Sequence, residues 1–270
     1  MFNEQLPTLR SDFLIHWTGK DIQTNYKDLN DVQRDKYISR LRSTLKEDTN
    51  GLWMNKPKKL ESTGGHDETL LTYGTLPMTC FTEIRLSDVY KHTKLYSCLG
   101  FGFNRKFVIE RSGSPVQYVP GSDDYSGSED SDIIGNIMKL TDKIRYMNPR
   151  YPENKSRLTP EQFNEIKYAL YFNSSFMKKM SRTPNDYQYL DEAEWRIVYT
   201  KRRKDEGKLK ATGMYNPQFK IPFKPKELKI LIFPDPEVRK KSLTDSVILN
   251  WLGEPYKFPI MVTIEECLQF

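Results

Sequence analysis

Short runs of β-forming residues recur along the chain at irregular intervals, with segments of helical periodicity between them. We predict strands at 13–18, 78–84, 106–110, 115–119, 195–200, 228–233 and 259–264. We predict helices at about 31–45, 87–95, 132–147 and 159–180, and a last helix that begins at Asp235 and ends before Gly253. Because the elements do not alternate as repeated βαβ units, the pattern predicts an α+β fold with a single mixed, mainly antiparallel β core and flanking helices.

The chain of 270 residues is long enough to form one large domain, and we assign residues 1–270 to a single α+β domain. Residues 121–132 carry five acidic residues and no basic one, which is typical of a mobile, solvated loop. A domain boundary at 121–132 is the alternative interpretation. Residues 201–270 are predicted to supply the C-terminal part of the sheet and a helix.

Composition excludes several classes of protein. Aromatic residues make up 13% of the chain, which argues against wholesale disorder. The three cysteines stand far apart, which excludes a disulfide scaffold and fits a reducing cytoplasm. No apolar run approaches the roughly 20 residues that cross a bilayer, and the first residues do not form a secretory signal, so we expect a cytoplasmic protein without a membrane partner.

The common catalytic motifs are absent from the sequence, which contains no GxxxxGK[ST], HExxH or GxSxG. No histidine or acidic pair has metal-ligand spacing, so no metal is expected. Gly100 and Gly102 lack a third glycine at dinucleotide-binding spacing, and a closely packed strand entry is the favoured interpretation of this pair.

Two polar residues are placed unusually in predicted strands. His16 interrupts an apolar run, so its ring must find a hydrogen-bond partner or line a cavity. Glu194 opens the strand WRIVYT, where a carboxylate either pairs with Arg196 or stabilises a positive transition state. A nucleophilic pair of Cys80 or Cys98 with His16 or His92 is disfavoured, because no thiol-protease signature accompanies it.

A basic segment follows the Glu194 strand directly. Residues 201–210 contain six basic and two acidic side chains, beginning with Lys201, Arg202 and Arg203. A solvated hairpin tip and a phosphate-contacting loop are the two interpretations of this segment.

Five segments occur in an order that resembles a known family. They are FLIHWTGK at the start, PMTCFTEIRL, LYSCLGFGFNRKF after His92, PVQYV, and EAEWRIVY. Together they resemble the AbiGi-type abortive phage resistance proteins, a bacterial defence family, over about residues 13–200. Where that family usually has Tyr-Gly before Gly-Phe-Gly, this chain has Tyr96-Ser97-Cys98-Leu99-Gly100.

The same order is remotely similar to the ADP-ribosyltransferase superfamily, and this similarity implies roles for individual residues. It implies an ADP-ribosyltransferase-like core in which Glu194 is the catalytic carboxylate. The residues implied to hold NAD as co-substrate are His16, Thr18, Phe81 and Thr82. The residues assigned to the acceptor are Arg196, Lys201, Arg202 and Arg203. This mechanism requires His16, Thr82 and Glu194 to meet in one pocket large enough for a dinucleotide.

Two functions of different class follow from these resemblances. The first is a defence or toxin enzyme that transfers ADP-ribose from NAD to a macromolecule, with RNA or DNA slightly favoured over protein as the acceptor. The alternative is a non-enzymatic antitoxin or interaction module of an abortive-infection toxin–antitoxin system, with a cognate toxin as its partner. A nuclease is disfavoured, because the sequence offers no credible cluster of metal-binding acids.

Overall fold

The computed structural model describes residues 13–22, 25–46, 50–55, 76–94, 96–119, 136, 140, 143, 147, 158–179, 181–182, 187–188, 193–212 and 218–269. The strands are β1 (Phe13–Thr18), β2 (Leu52–Met54), β3 (Met78–Thr82), β4 (Leu99–Asn104), β5 (Ser114–Pro115), β6 (Gln117–Val119), β7 (Met177–Lys179), β8 (Ser181–Arg182), β9 (Tyr187–Gln188), β10 (Glu194–Val198), β11 (Lys210–Thr212), β12 (Gln218–Ile221), β13 (Leu228–Phe233) and β14 (Ile260–Thr263). The helices are α1 (Asp31–Leu45), α2 (Val89–Thr93), α3 (Arg105–Glu110), α4 (Pro160–Ser174), α5 (Lys201–Asp205), α6 (Pro236–Ser242), α7 (Ser246–Leu252) and α8 (Ile264–Cys267).

A seven-stranded sheet forms the centre of the molecule, in the order β14-β13-β4-β1-β3-β10-β5. Every neighbouring pair is antiparallel except β13 and β14, which run parallel. The sheet and its flanking helices confirm the predicted α+β class with a mixed, mainly antiparallel core. The predicted contribution of the C-terminal part is β13 and β14, at one edge of this sheet.

The register of the sheet decides which side chains share a face. Ile15 lies opposite Thr82, and Thr82 lies opposite Glu194. Because directly opposed residues point to the same side and neighbours along a strand to opposite sides, two faces can be defined. The Glu194 face carries Ile15, Trp17, Cys80, Thr82, Glu194 and Arg196, and the His16 face carries Leu14, His16, Thr18, Phe81, Phe101 and Trp195.

Gly100 and Gly102 lie in β4, and both are sites of close packing, as the sequence predicts. A Cβ atom at Gly100 would lie 2.8 Å from the ring of Trp17, and one at Gly102 would lie 2.9 Å from the Cβ of Ile230. Real Cβ atoms do not approach neighbours this closely, so larger residues at these positions displace the adjoining strands.

Helix α1 joins the N-terminal part of the chain to its C-terminal helices. It begins with a capping box between Asn30 and Gln33, and it packs against α6 and α7. Arg34 Nε donates to Asp235 at 2.7 Å, and Arg42 pairs with Asp245. Asp235 and Asp245 also cap α6 and α7, so each carboxylate holds both a helix start and α1.

A second, three-stranded antiparallel sheet has the order β11-β12-β2. It adjoins β3 through paired backbone hydrogen bonds between Asn55 and Met78, at 2.9 and 3.0 Å. Across one side of this small sheet, Lys210, Lys220 and Trp53 lie in a row.

The predicted secondary structure was wrong in several places. The segment predicted as a strand at 106–110 is helix α3, in which the adjacent residues Phe107 and Val108 are both buried; a half-buried strand would bury alternate residues. The sequence Ser112-Gly113-Ser114 predicts a hairpin-like turn between the strands expected at 106–110 and 115–119, and this hairpin does not exist because the first of the two segments is helical. The predicted last helix is two helices, α6 and α7, because a second N-cap at Asp245 starts a new one.

Helix α4 begins as predicted, with Thr159 as N-cap, Pro160 in the first turn and Gln162 completing the capping box. It ends at Ser174, however, before the predicted end near residue 180, and Met177 begins β7. The predicted loop at 121–132 lies outside the described residues, as does most of the predicted helix at 132–147. Within the described residues no helix combines the length and apolar character that crossing a membrane requires.

Candidate functional site

The end of β1 opens into a cavity of about 190 Å³. His16 and Thr18 lie on its wall beside the turn that follows the strand. The other residues that line it are Trp17, Gly19, Lys20, Asp21, Arg40, Thr44, Leu52, Trp53, Asn55, Tyr96 and Phe101. The wall thus combines cationic, hydroxyl and aromatic groups from β1, α1, β2 and the segment before β4.

His16 both finds a partner and lines a cavity, the two roles that its place in an apolar strand allows. Its Nδ1 donates to the backbone oxygen of Cys80 at 2.9 Å, and its ring lies 5.8 Å from that of Phe81. Burial lowers the pKa of His16 from 6.5 to about 4, although the hydrogen bond to Cys80 opposes the change. The ring is therefore neutral at pH 7, with Nε2 as a hydrogen-bond acceptor.

The positive charge at the cavity comes from Lys20 and Arg40. Arg40 donates to Thr18 Oγ1 at 3.2 Å and to Asp21 at 2.7 Å. Within the described part of the chain these contacts use two of the five N–H groups of its guanidinium. Lys20 Nζ lies 5.9 Å from the ring centre of Tyr96.

Glu194 lies on the other face of the sheet, in a buried ion-pair cluster that also contains Arg196 and Lys178. Arg196 Nε donates to Glu194 Oε1 at 2.7 Å and its Nη2 to Oε2 at 3.2 Å, while Lys178 Nζ lies 2.9 Å from Oε2. Glu194 and Arg196 are only 6% and 7% exposed. Burial alone raises the pKa of the Glu194 carboxyl, but the attraction of Arg196 and Lys178 outweighs it and holds the pKa well below its usual range.

The ion-pair cluster connects the segment after α4 to the sheet. Arg196 Nη1 donates to the backbone oxygen of Ser175 at 2.6 Å and, more weakly, to that of Met177 at 3.4 Å. The backbone N–H of Glu194 donates to the hydroxyl of Tyr118 at 2.8 Å. The charged groups of this cluster thus find their partners inside the protein, as structural pairing between Glu194 and Arg196 requires.

The sheet separates the residues that the proposed NAD site requires together. Thr82 and Glu194 are direct neighbours on one face, whereas His16, Thr18 and Phe81 lie on the other. Neither Thr82 nor Glu194 is among the residues that line the cavity. The cavity is also smaller than the roughly 300–1,000 Å³ of typical ligand sites. The structure thus divides the residues predicted for the NAD site into two groups on opposite faces of the sheet.

The predicted acceptor-binding residues divide into two groups. Arg196 is inside the ion-pair cluster, and Arg203 is buried, donating to the backbone oxygens of Val198 and Ser112. Lys201 and Arg202 are exposed on α5, so the basic segment starts with a helix rather than a hairpin tip. Only these two of the four predicted residues are at the surface.

The cysteine alternative finds no support in this geometry. His16 contacts the backbone oxygen of Cys80, not its thiol. Packing around the Cys80 sulfur, and next the Glu194 carboxylate, raise the pKa of this thiol although the residue as a whole is exposed. Burial likewise raises the pKa of Cys98 to about 11. Both changes work against the thiolate that a nucleophilic cysteine needs.

Lys178, Lys20, Arg40 and Trp53 were not identified from the sequence. The chain has 42 lysines and arginines, so a single one carries no local signal. Lys20 alone had a positional hint, because it follows Gly19 at the end of the β1 motif. Among the described residues no group of three or more His, Cys, Asp or Glu side chains is arranged to hold a metal ion.

Comparison with known proteins gives one match. Residues 53–234 match the model of a family described as "Putative abortive phage resistance protein AbiGi, antitoxin". No curated protein and no solved structure is significantly similar to the chain. The matched range contains the ion-pair cluster and Trp53, whereas β1, with His16 and Thr18, precedes it.

Proposed function

The chain belongs to the AbiGi family of abortive phage resistance proteins, and on that premise we propose that it is an antitoxin, which neutralises a partner toxin by binding it. This is the interaction module predicted as the alternative from the sequence, and the family is described as an antitoxin. The proposal needs a stable scaffold and a surface for the toxin, and it needs no catalytic group.

The observation that carries the proposal is the state of Glu194. The sequence offers this carboxylate as the catalytic group, yet it is buried and neutralised by Arg196 at 2.7 Å and Lys178 at 2.9 Å. A carboxylate that must stabilise an oxocarbenium ion needs access to the substrate. The present contacts of Glu194 instead hold the segment after α4 against the sheet.

Helix α4 is the surface that we assign to the toxin. It has 15 residues, of which only Phe163 and Ser174 are buried, and Ile166 is 43% exposed although it is large and apolar. Helices with apolar side chains directed to solvent are a recurrent means of protein recognition. The ion-pair cluster fixes the C-terminal end of α4, so the helix is held ready for a partner.

Co-expression with candidate toxins tests this proposal. We expect wild-type protein to restore growth and to co-purify with the toxin. Ile166→Asp places a charge on α4 and is expected to weaken complex formation by ten-fold or more. Ile109→Asp on α3 is the matched control, because Ile109 is also apolar and 53% exposed. Equal rescue by both variants would exclude α4 as the toxin surface, and harmful wild-type protein would contradict the antitoxin role.

ADP-ribosyl transfer is the second candidate function. The observation that favours it is the adjacency of the three motif strands, since β1 pairs with β3 and β3 with β10, which places Thr82 beside Glu194. In this proposal Glu194 leaves its ion pairs to become the catalytic carboxylate. The roles in holding NAD stay with His16, Thr18, Phe81 and Thr82, although the sheet places Thr82 on the face opposite the other three. Lys201 and Arg202 attract a nucleic-acid acceptor in preference to a protein.

Labelled NAD tests the second candidate directly. Transfer of label to RNA, DNA or protein is expected to fall on the order of 10²–10³-fold in Glu194→Gln, compared at equal folded fraction. Lys226→Gln, which removes an exposed charge outside the predicted NAD and acceptor residues, serves as the control for non-specific effects of charge. If Glu194→Gln retains transfer, this candidate fails, and absence of transfer by wild-type protein leads to the same conclusion.

A further inference from the structure

Among the described residues, the wall of the cavity at the end of β1 carries more positive than negative charge. Lys20 and Arg40 line it, and within the part of the chain that the structure describes Asp21 is the one acidic residue on its wall. His16 is neutral at pH 7, so it does not add to the charge. Lys20 is exposed and has no carboxylate partner within the described residues. A concave site with net positive charge concentrates anions from solution.

Two lysines, Lys220 and Lys210, lie behind the part of the wall that Trp53 forms, and they add to the positive potential of the cavity. Trp53 lines the cavity, and Lys220 Nζ lies 4.1 Å from the centre of its ring. Lys220 is buried and lies directly opposite Lys210 on the neighbouring strand. Like charges in directly opposed positions destabilise a sheet, and burial and Lys210 lower the pKa of Lys220. An anion nearby relieves this repulsion.

The uncharged groups of the wall indicate which other chemical groups the bound anion contains. Trp53 and Tyr96 present aromatic rings, which stack on planar bases. The Nε2 of His16 is an acceptor, because Nδ1 donates to Cys80, and an acceptor suits a sugar hydroxyl. The Thr18 and Thr44 hydroxyls and the Asn55 amide complete the polar wall.

From these groups we infer that the cavity binds a free mononucleotide, with its terminal phosphate directed to Lys20 and Arg40 and its base to Trp53 or Tyr96. The volume of about 190 Å³ admits the phosphate end of such a ligand and leaves the rest at the open side. A phosphate monoester carries nearly two negative charges at pH 7, whereas the phosphates within NAD carry one each. The inference goes beyond toxin binding and does not depend on it.

Titration of the full chain with AMP tests the inference, with binding followed calorimetrically. Lys20→Gln is expected to weaken AMP binding on the order of ten-fold, the loss that accompanies one hydrogen bond between charged groups. Arg40→Gln is expected to have at least that effect. Lys226→Gln removes an equally exposed charge away from the cavity and is expected to leave binding unchanged. Wild-type binding is expected to weaken with added salt.

Four results would overturn the inference. These are absence of AMP binding at millimolar concentration, equal binding by Lys20→Gln and Lys226→Gln, NAD bound as tightly as AMP, and binding of a 5′-phosphorylated oligoribonucleotide without binding of AMP. The last would assign the site to a nucleic-acid end rather than to a free nucleotide. Lys20 lies on the surface, so its variant gives a clear answer even if Arg40→Gln does not fold.

Discussion

The two faces of the central sheet each carry a polar site, and the two sites differ in where their charges find partners. On the Glu194 face, a buried carboxylate pairs with the buried guanidinium of Arg196 and with the partly exposed ammonium of Lys178. On the His16 face, the cations lie at a cavity, and among the described residues Arg40 donates only to Thr18 and Asp21, which leaves N–H groups for a ligand. The first arrangement is that of a structural clamp, and the second is that of a binding site.

The difference shows that a buried charge near a motif is weak support for catalysis. The cost of burying an ion is recovered only through close partners, so a buried carboxylate with two cationic partners is explained by packing. Within the part of the chain that the structure describes, Lys20 lies at a cavity without a carboxylate partner, and packing does not explain its charge in the same way.

The largest expected effect is on the ion-pair cluster. Arg196→Met leaves Glu194 buried without its main partner, and we expect the free energy of unfolding to fall by about 3–5 kcal/mol. Urea unfolding measures this change, with Arg202→Gln as the control. Arg202 is 87% exposed, so its variant is expected to stay within about 0.5 kcal/mol of wild type. A loss below about 1 kcal/mol in Arg196→Met would show that the clamp is not structural.

The second prediction is that His16 and Glu194, on opposite faces of the sheet, make the stability depend on pH over different intervals. The pKa of His16 is lowered from 6.5 to about 4, so the unfolded chain binds this proton more readily and stability falls as pH drops from 6.5 to 4. The pKa of Glu194 is depressed below 4.5, so its contribution is present above pH 4.5 and is lost as pH falls further.

The melting temperatures of His16→Gln and Glu194→Gln, measured over this pH range, test the prediction. His16→Gln is expected to flatten the dependence between pH 6.5 and 4, and Glu194→Gln to flatten it only below 4.5. If both variants flatten the same interval, the two groups do not titrate in the environments described for the two faces.

The smallest expected effect on stability is at the cavity. Lys20→Gln is expected to change the free energy of unfolding by less than about 0.5 kcal/mol, because its exposed ammonium stabilises little in the free protein. Urea unfolding without added nucleotide checks this. A loss above about 1 kcal/mol would make Lys20 a structural residue and remove the contrast between the two faces.

Local signals predicted much of the fold. The bounds of β1 and β13 were predicted correctly, because each is an apolar run with a turn or proline beside it. The start of α4 followed from its capping box. The segment 106–110 was wrong because a short run of charged and apolar residues fits either a strand or a single helical turn, and only its packing against β4 decides between them.

The site was less predictable, for a physical reason. Alternation within β1 and within β10 was predicted correctly, but how the faces of two distant strands correspond depends on register. Ile15, not His16, lies opposite Thr82. A shift of one residue would move Thr82 to the His16 face and make the proposed NAD site continuous. Pairing between residues so far apart in sequence is a property of the folded sheet, which no local motif encodes.

The place of β1 in the sheet has a practical consequence for work on this family. The matched range, 53–234, includes β3 and β4, but the strand that joins them edge to edge precedes residue 53. A fragment cut at the limits of the match would therefore leave two hydrogen-bonding edges facing an empty slot, a state prone to aggregation. The unit to express, swap or graft begins before β1 and extends through β14, which pairs with β13, and it includes α7, whose Asp245 is held by Arg42 of α1.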